Sequence, residues 1–187
     1  MTRSIVVAAL LLSAAALVTA QATPAASTDQ ALAEAAYTGK LAEVRRLVAS
    51  GAAVDAADAE KRTPIMWAAF NGHTAVVGYL LERGAKLEAK DVSGRTPLMY
   101  AASGPYAETV ELLLGKGAEV NVQGTLEGFT ALMTAAAEGQ LEVVRLLLIH
   151  GADQGLVDKD GDTATSFARQ KGHRAVVLLL DNPPPAR

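Results

Sequence analysis

The 187-residue chain contains no cysteine, few aromatic residues and no large excess of charge of either sign. The absence of cysteine excludes disulfides, thiolate catalysis, cysteine-based zinc sites and lipidation at a lipoprotein cysteine. Only 4% of the residues are aromatic although 50% are hydrophobic. This composition favours helices that pack through small side chains over a β-sheet. The net charge of −3 gives no indication of nucleic-acid binding, so we expect no nucleic-acid partner.

The N-terminus has the features of a secretory signal. Arg3 precedes an uncharged stretch, residues 5–18, in which Ser13 is the only polar residue. Small residues then allow cleavage after Ala20 or Ala22. The apolar stretch is shorter than the roughly 20 residues that span a bilayer, although an uncleaved anchor or a buried helix stays open as an alternative. We expect a cleaved signal peptide at 1–22, a flexible N-terminus at 23–28, and a periplasmic or secreted protein without stable membrane insertion.

After residue 29, two sequence markers repeat together with a period of about 33 residues. The first marker is a Gly-Ala pair that begins at Gly51, Gly84, Gly117 and Gly151. The second is a threonine followed by Pro or Ala, at Thr63, Thr96, Thr130 and Thr163. Both markers place one extra residue between Gly117 and Thr130. The predicted units are approximately 29–57, 58–90, 91–124, 125–157 and 158–181, followed by a Pro-rich tail at 182–187.

Each unit has the residues of two short helices. Thr63-Pro64 supplies an N-cap and a first helical residue, and Gly72 suits the end of the first helix. Val76, Val77, Leu80 and Leu81 then form one apolar stripe at helical spacing. Neither helix can bury its apolar face alone, so the units are expected to stack into a solenoid.

These motifs strongly resemble the ankyrin repeat. The resemblance is carried by Ser93-Gly94-Arg95-Thr96-Pro97-Leu98, by Asn71-Gly72-His73, and by Val143-Val144-Arg145-Leu146-Leu147-Leu148 with Gly151-Ala152. It implies an all-α repeat solenoid over 29–181, with about five helix-turn-helix repeats and β-hairpin fingers. Where the family pattern has histidine after Thr-Pro-Leu, this chain has Met66, Met99 and Met133, which indicates an apolar contact instead.

We find no motif for catalysis or metal binding. His73, His150 and His173 occupy structural positions of the repeat and lack metal-ligand spacing. Residues 158–162 carry acids at every second position and a glycine at 161, which resembles the start of a calcium loop. Such a loop needs a Glu at its twelfth position, where this chain has Arg169. We therefore expect a protein that is not an enzyme and has no catalytic residues, metal or cofactor.

The family resemblance implies partner binding by the fingers and first helices, which form a concave groove. The residues expected there are Glu60, Arg62, Trp67, Phe70, Asn71, Arg95, Tyr100, Leu126, Phe129 and Glu138. For Trp67 and Tyr100, packing between repeats is the alternative role.

The leading interpretation of function is a monomeric, non-catalytic module that is exported to the periplasm and binds another protein. One candidate role is an accessory or protective factor for an enzyme. An immunity or inhibitor protein that occludes a toxin active site is an alternative. A third interpretation, haem or small-molecule handling, would use residues such as Met66, Met99, Tyr100 and His73.

Overall fold

The computed structural model describes residues 24–186, which form ten α-helices and contain no β-strand within that range. The helices are α1 (Pro24–Tyr37), α2 (Leu41–Ala49), α3 (Pro64–Phe70), α4 (Thr74–Glu82), α5 (Pro97–Ala102), α6 (Ala107–Gly115), α7 (Ala131–Ala137), α8 (Leu141–Ile149), α9 (Ala164–Lys171) and α10 (Arg174–Asp181). Over the same residues, none of these helices has the length and apolar character needed to cross a bilayer. The predicted signal peptide, residues 1–22, lies outside the described residues.

The helices pack in consecutive pairs that stack into a helical repeat solenoid. The first helix of each pair contacts its own second helix and also the first helix of the next pair, as α1 does with α2 and α3. The second helices contact one another in the same order along the chain. The solenoid predicted from the sequence is therefore present.

The N-terminal helix is longer than the repeat pattern predicts. Residues 23–28 are expected to be flexible, yet α1 begins at Pro24. Proline at a first helical position loses no intrahelical hydrogen bond, and the alanines that follow it have the highest helix propensity. A helix therefore occupies most of the segment that is expected to be a flexible N-terminus.

Threonine caps and buried methionines position the first helices. Thr130 accepts a hydrogen bond from the backbone N–H of Met133 at 3.2 Å, which caps the start of α7. In α3, the sulfur of Met66 accepts from the backbone N–H of Thr63 at 3.4 Å. Met66, Met99 and Met133 are all buried, so the methionines that replace the histidine of the family pattern make apolar contacts.

The core lies between the two rows of helices. Val76, Val77 and Leu80 of α4 are completely or almost completely buried, as are Val143 and Leu147 of α8. Burial of each such side chain contributes about 1.5–3 kcal/mol to stability. The first helices lie close to the row of second helices because they present small, buried alanine side chains to it. The buried alanines of α3 are Ala68 and Ala69.

The loops that connect successive pairs project as fingers, each numbered by the unit that it begins. The second finger is residues 58–62, the third 91–95, the fourth 125–129 and the fifth 158–162. An Asp-to-Arg turn closes two of them: the N–H of Asp58 donates to the carbonyl of Arg62 at 3.1 Å, and that of Asp91 to Arg95 at 3.2 Å. Neighbouring fingers are joined by one backbone hydrogen bond each, or by two at Ser93, where the N–H of Leu126 adds a second bond at 3.3 Å. The other bonds run from Val92 N–H to Glu60, from Thr125 N–H to Ser93, and from Lys159 N–H to Glu127. Such isolated bonds do not build a strand ladder, so the fingers of the described part are turns, and the expected β-hairpins are not seen.

Candidate protein-binding groove

The second finger holds a cation against an aromatic ring of the helix that follows it. The carboxylate of Asp58 accepts from the backbone N–H of Arg62 at 2.9 Å and from its Nε at 2.8 Å. Glu60 pairs with the same guanidinium at 2.7 Å. The guanidinium carbon of Arg62 then lies 4.4 Å from the ring centroid of Trp67, within the range of a cation–π contact.

The third finger repeats this arrangement but buries the carboxylate and the ring more deeply, whereas its arginine is more exposed. Asp91 binds Arg95 through Nε at 2.8 Å, and the guanidinium carbon of Arg95 lies 4.8 Å from the ring centroid of Tyr100. Tyr100 is only 7% exposed, and its hydroxyl bonds to Asp91. The sequence predicts that Tyr100 contacts a partner, with packing between repeats as the alternative. Its burial, its bond to Asp91 and its edge contact with the Phe70 ring favour the packing role.

In the fourth unit an aromatic ring replaces the cation, and this ring packs against a ring of the fifth unit. Phe129 occupies the repeat position that Arg95 holds in the third unit. Phe167 occupies the position that Tyr100 holds there, which is Thr134 in the fourth unit. The two phenylalanine rings meet edge to face, with centroids 5.2 Å apart. Together with Met133, Thr134, Ala137 and Glu138, they line a cavity of about 100 Å³.

A much larger cavity lies at the other end of the row of first helices. We call it the α1 cavity; its volume is about 830 Å³. Its lining comprises Asp29, Gln30, Ala33, Glu34 and Tyr37 of α1, residues 56–58, and Trp67 and Phe70 of α3. Tyr37 is 46% exposed and Phe70 40%, and the Tyr37 ring meets the Trp67 ring edge to face at 5.7 Å. The α1 cavity is therefore an open, aromatic-walled part of the groove.

The residues expected in the groove divide into three groups. Trp67 and Phe70 line the α1 cavity, and Phe129 and Glu138 line the smaller cavity. Leu126 is exposed at the fourth finger. The third group makes contacts within the protein and includes Arg62 and Tyr100, described above. Glu60 and Arg95 in this group pair with charges of their own fingers, and Asn71 donates to the carbonyl of Tyr37.

Sequence reasoning missed the contribution of α1 and α9. Asp29, Glu34, Tyr37 and Phe167 all line cavities but are not among the residues predicted from the sequence. The repeat itself carries the signal, since Glu34 and Tyr37 hold in the first unit the positions of Trp67 and Phe70 in the second. Treating the first unit only as a cap hides this correspondence.

Two of the three histidines, His73 and His173, and the acidic finger have structural partners. Nε2 of His73 lies 3.0 Å from the carbonyl of Tyr37, and Nε2 of His173 lies 3.0 Å from the carbonyl of Ala137. A carbonyl only accepts, so each of these nitrogens carries the proton. Asp158 accepts from the backbone N–H groups of Asp160 and Asp162 and so closes a turn. Between residues 24 and 186, no three His, Cys, Asp or Glu side chains converge as a metal site.

Comparison with known proteins identifies one family. The family model described as ankyrin repeats matches the chain in three copies, over residues 6–91, 32–124 and 106–184. These matches extend over almost the entire chain. No curated protein matches it.

Proposed function

Because the chain belongs to the ankyrin-repeat family, whose repeats generally mediate protein–protein interaction, we propose that it is a non-catalytic module that binds a partner protein in its groove. The observation that carries this proposal is the open aromatic wall of the α1 cavity, formed by Tyr37, Trp67 and Phe70. Aromatic side chains are enriched at the positions that dominate binding energy in interfaces.

The distribution of exposed apolar side chains supports the same surface. Tyr37, Phe70, Val92 and Leu126 are large, exposed hydrophobic residues on first helices or fingers. Leu178 on α10 is a comparable residue on a second helix. An aromatic row on rigid helices loses little conformational entropy when a partner binds, which favours affinity.

We further propose that the protein acts after export, as a monomeric accessory or protective factor for an enzyme of the periplasm. The support for export is the signal-like sequence of residues 1–22, with Arg3 before an apolar stretch and small residues at Ala20 and Ala22. An exported solenoid without cysteine needs no disulfide chemistry in that compartment.

The test compares exposed groove residues with an exposed residue elsewhere. Phe70→Ala and Leu126→Ala truncate groove side chains, whereas Leu178→Ala makes a matched apolar truncation on α10. The tagged variants are cross-linked in a periplasmic extract, the captured protein is identified by mass spectrometry, and its affinity is then measured with purified components. Truncation of a dominant contact costs about 2 kcal/mol, which is close to thirtyfold in affinity.

We expect Phe70→Ala to weaken binding by at least tenfold and Leu178→Ala to have no effect. Unchanged circular dichroism melting would show that the variants are folded. If Leu178→Ala abolishes capture while both groove variants bind normally, the binding surface is on the second helices and the proposal is wrong. Arg95 is unsuitable as a probe because its removal would also deprive the buried Asp91 of its cation.

A further inference from the structure

The lining of the α1 cavity combines aromatic rings with negative charge. Asp29, Glu34 and Asp58 contribute carboxylates, and Tyr37, Trp67 and Phe70 contribute rings. No lysine or arginine of the part of the chain that the structure describes lines the cavity. We propose that the α1 cavity receives a lysine or arginine side chain from an exposed basic segment of the partner protein. The inference rests on the proposed function and adds the chemistry of the partner.

Two of the three carboxylates are available for a cation from outside. The Glu34 side chain is exposed and has no hydrogen-bond or ion-pair partner among residues 24–186. Asp29 uses one oxygen to accept from the backbone N–H of Ala53 at 2.8 Å and has no basic partner in the same range. Both groups are therefore free to pair with an incoming ammonium or guanidinium.

The neighbouring arginine does not reverse the sign of this surface. Arg62 stacks on Trp67, but it is neutralised by Asp58 at 2.8 Å and Glu60 at 2.7 Å. Among residues 24–186, Asp29 and Glu34 have no basic partner of their own. A basic side chain that enters the cavity meets attraction from these two carboxylates, and because the cavity is open to solvent this attraction should weaken as salt is added.

The rings suit the same occupant. The protein already places guanidinium groups over aromatic rings, at 4.4 Å for Arg62 on Trp67 and 4.8 Å for Arg95 on Tyr100. Tyr37 and Phe70 remain exposed beside the free carboxylates, so they provide ring faces or edges for a further cation and its apolar stem. The cavity of about 100 Å³ at Phe129 contains one carboxylate and is too small for a peptide segment.

The volume and shape of the α1 cavity favour a side chain on a peptide over a free small cation. At about 830 Å³ the cavity exceeds the size of one side chain, and it extends from α1 to residues 56–58 at the base of the second finger. A segment of polypeptide can fill this length while one basic side chain reaches the carboxylates.

The chain contains a single tryptophan, so the fluorescence of Trp67 reports on this cavity directly. The purified mature protein is titrated with a hexa-arginine peptide and with a hexa-citrulline peptide, which has the same length and shape but no charge. We expect a saturable change with hexa-arginine, at least tenfold weaker binding of hexa-citrulline, and weakening of the hexa-arginine complex between about 20 and 200 mM salt. Spermidine is titrated as a free cation and should bind more weakly than hexa-arginine.

Charge-removing variants localise the effect. Glu34→Gln and Asp29→Asn should each raise the dissociation constant for hexa-arginine three- to tenfold, and the Asn side chain retains an acceptor for Ala53. Glu108→Gln, at an exposed acid of α6 outside both cavities, is the matched control and should bind like the wild type. Equal binding of the two peptides, spermidine binding as tight as hexa-arginine, or an unchanged affinity in Glu34→Gln would overturn the inference.

The outcome is separable from that of the proposed function. If Phe70→Ala weakens capture of the natural partner but Glu34→Gln binds hexa-arginine like the wild type, the groove binds a partner of other chemistry and only this inference fails. If Phe70→Ala and Leu126→Ala leave capture of the natural partner unchanged, the proposed function fails whatever the peptides show.

Discussion

The hydroxyl of Tyr100 donates a hydrogen bond to the buried carboxylate of Asp91 at 2.8 Å. Burial alone raises the pKa of Asp91, but hydrogen bonds from the Arg95 backbone, the Tyr100 hydroxyl and the Arg95 side chain outweigh burial and lower it below its usual range. Burial, reinforced by the bond to Asp91, raises the pKa of Tyr100 far above that of an ordinary tyrosine. The pair ties the third finger to α5.

Removal of the Tyr100 hydroxyl should therefore destabilise the fold. Tyr100→Phe deletes a hydrogen bond to a buried charge, and we expect a loss of about 1.5–3 kcal/mol in the free energy of unfolding. Tyr106→Phe is the matched control, because the Tyr106 hydroxyl makes no hydrogen bond among the described residues. Urea unfolding at pH 7 measures both. Equal stability of the two variants would show that the Asp91–Tyr100 bond contributes nothing.

The lowered pKa of Asp91 predicts a dependence of stability on acid pH. The stabilisation is fully present above the unfolded-state pKa, about 3.9, and is lost as pH falls through the lower folded-state pKa. Asp91→Asn lacks the titrating group. The difference in unfolding free energy between wild type and Asp91→Asn should thus shrink as pH is lowered from about 5 to about 3. A difference that stays constant over this range would contradict the assignment.

Glu88 is predicted to behave in the opposite sense. Burial raises its pKa, although the backbone N–H of Glu119 donates to one oxygen at 3.0 Å and so opposes this shift. The other oxygen is buried without a hydrogen-bond partner. Since the folded state disfavours the charged form, stability contributed at this site falls as pH rises through the unfolded and then the folded pKa. Glu88→Gln should gain stability relative to wild type between pH 4 and pH 7, as measured by urea unfolding; a constant or shrinking difference would refute this.

Two glycines at the ends of neighbouring turns test the packing between repeats. Gly139 and Gly151 both have positive φ, 71° and 82°. A Cβ at Gly139 would lie 2.6 Å from Nδ1 of His173, whereas a Cβ at Gly151 meets nothing within 4 Å. We expect Gly151→Ala to cost about 1–2 kcal/mol for the left-handed backbone alone. Gly139→Ala should cost more, because it also displaces the ring that bonds to Ala137; melting curves with equal losses would argue against this contact.

Export makes a prediction of its own. If residues 1–22 form a cleaved signal, protein recovered from the periplasm begins at Gln21 or Thr23. Edman sequencing of that protein identifies the first residue, and cytoplasmic protein from cells with a blocked secretion pathway serves as the uncleaved reference. Full-length chains found only in the membrane fraction would show that the apolar segment acts as an anchor.

The sequence predicts the solenoid well because its signals are local and repeated. Thr63-Pro64 begins a helix where the capping rules place it, and the Gly-Ala pairs and apolar stripes recur in register. The groove is harder to predict, because exposure depends on neighbouring repeats. The sequence pattern treats Trp67 and Tyr100 alike, yet Trp67 lines an open cavity while Tyr100 is buried against Asp91. The start of α1 at Pro24 is missed because the repeat pattern ends before it.

Backbone and side-chain hydrogen bonds both link neighbouring fingers; Nε2 of Gln123, for example, donates to the carbonyl of Val157 at 2.8 Å. Thr125 and Lys159 donate from their backbone N–H groups to Ser93 and Glu127, even though the fourth finger contains an additional residue. Tip side chains that are exposed, such as Val92 and Leu126, are under little architectural constraint, and the fourth finger shows that loop length can vary as well. In a scaffold of this kind, natural variation or directed evolution can redirect recognition toward a new protein by substituting exposed residues at the finger tips, while the helices beneath them stay unchanged.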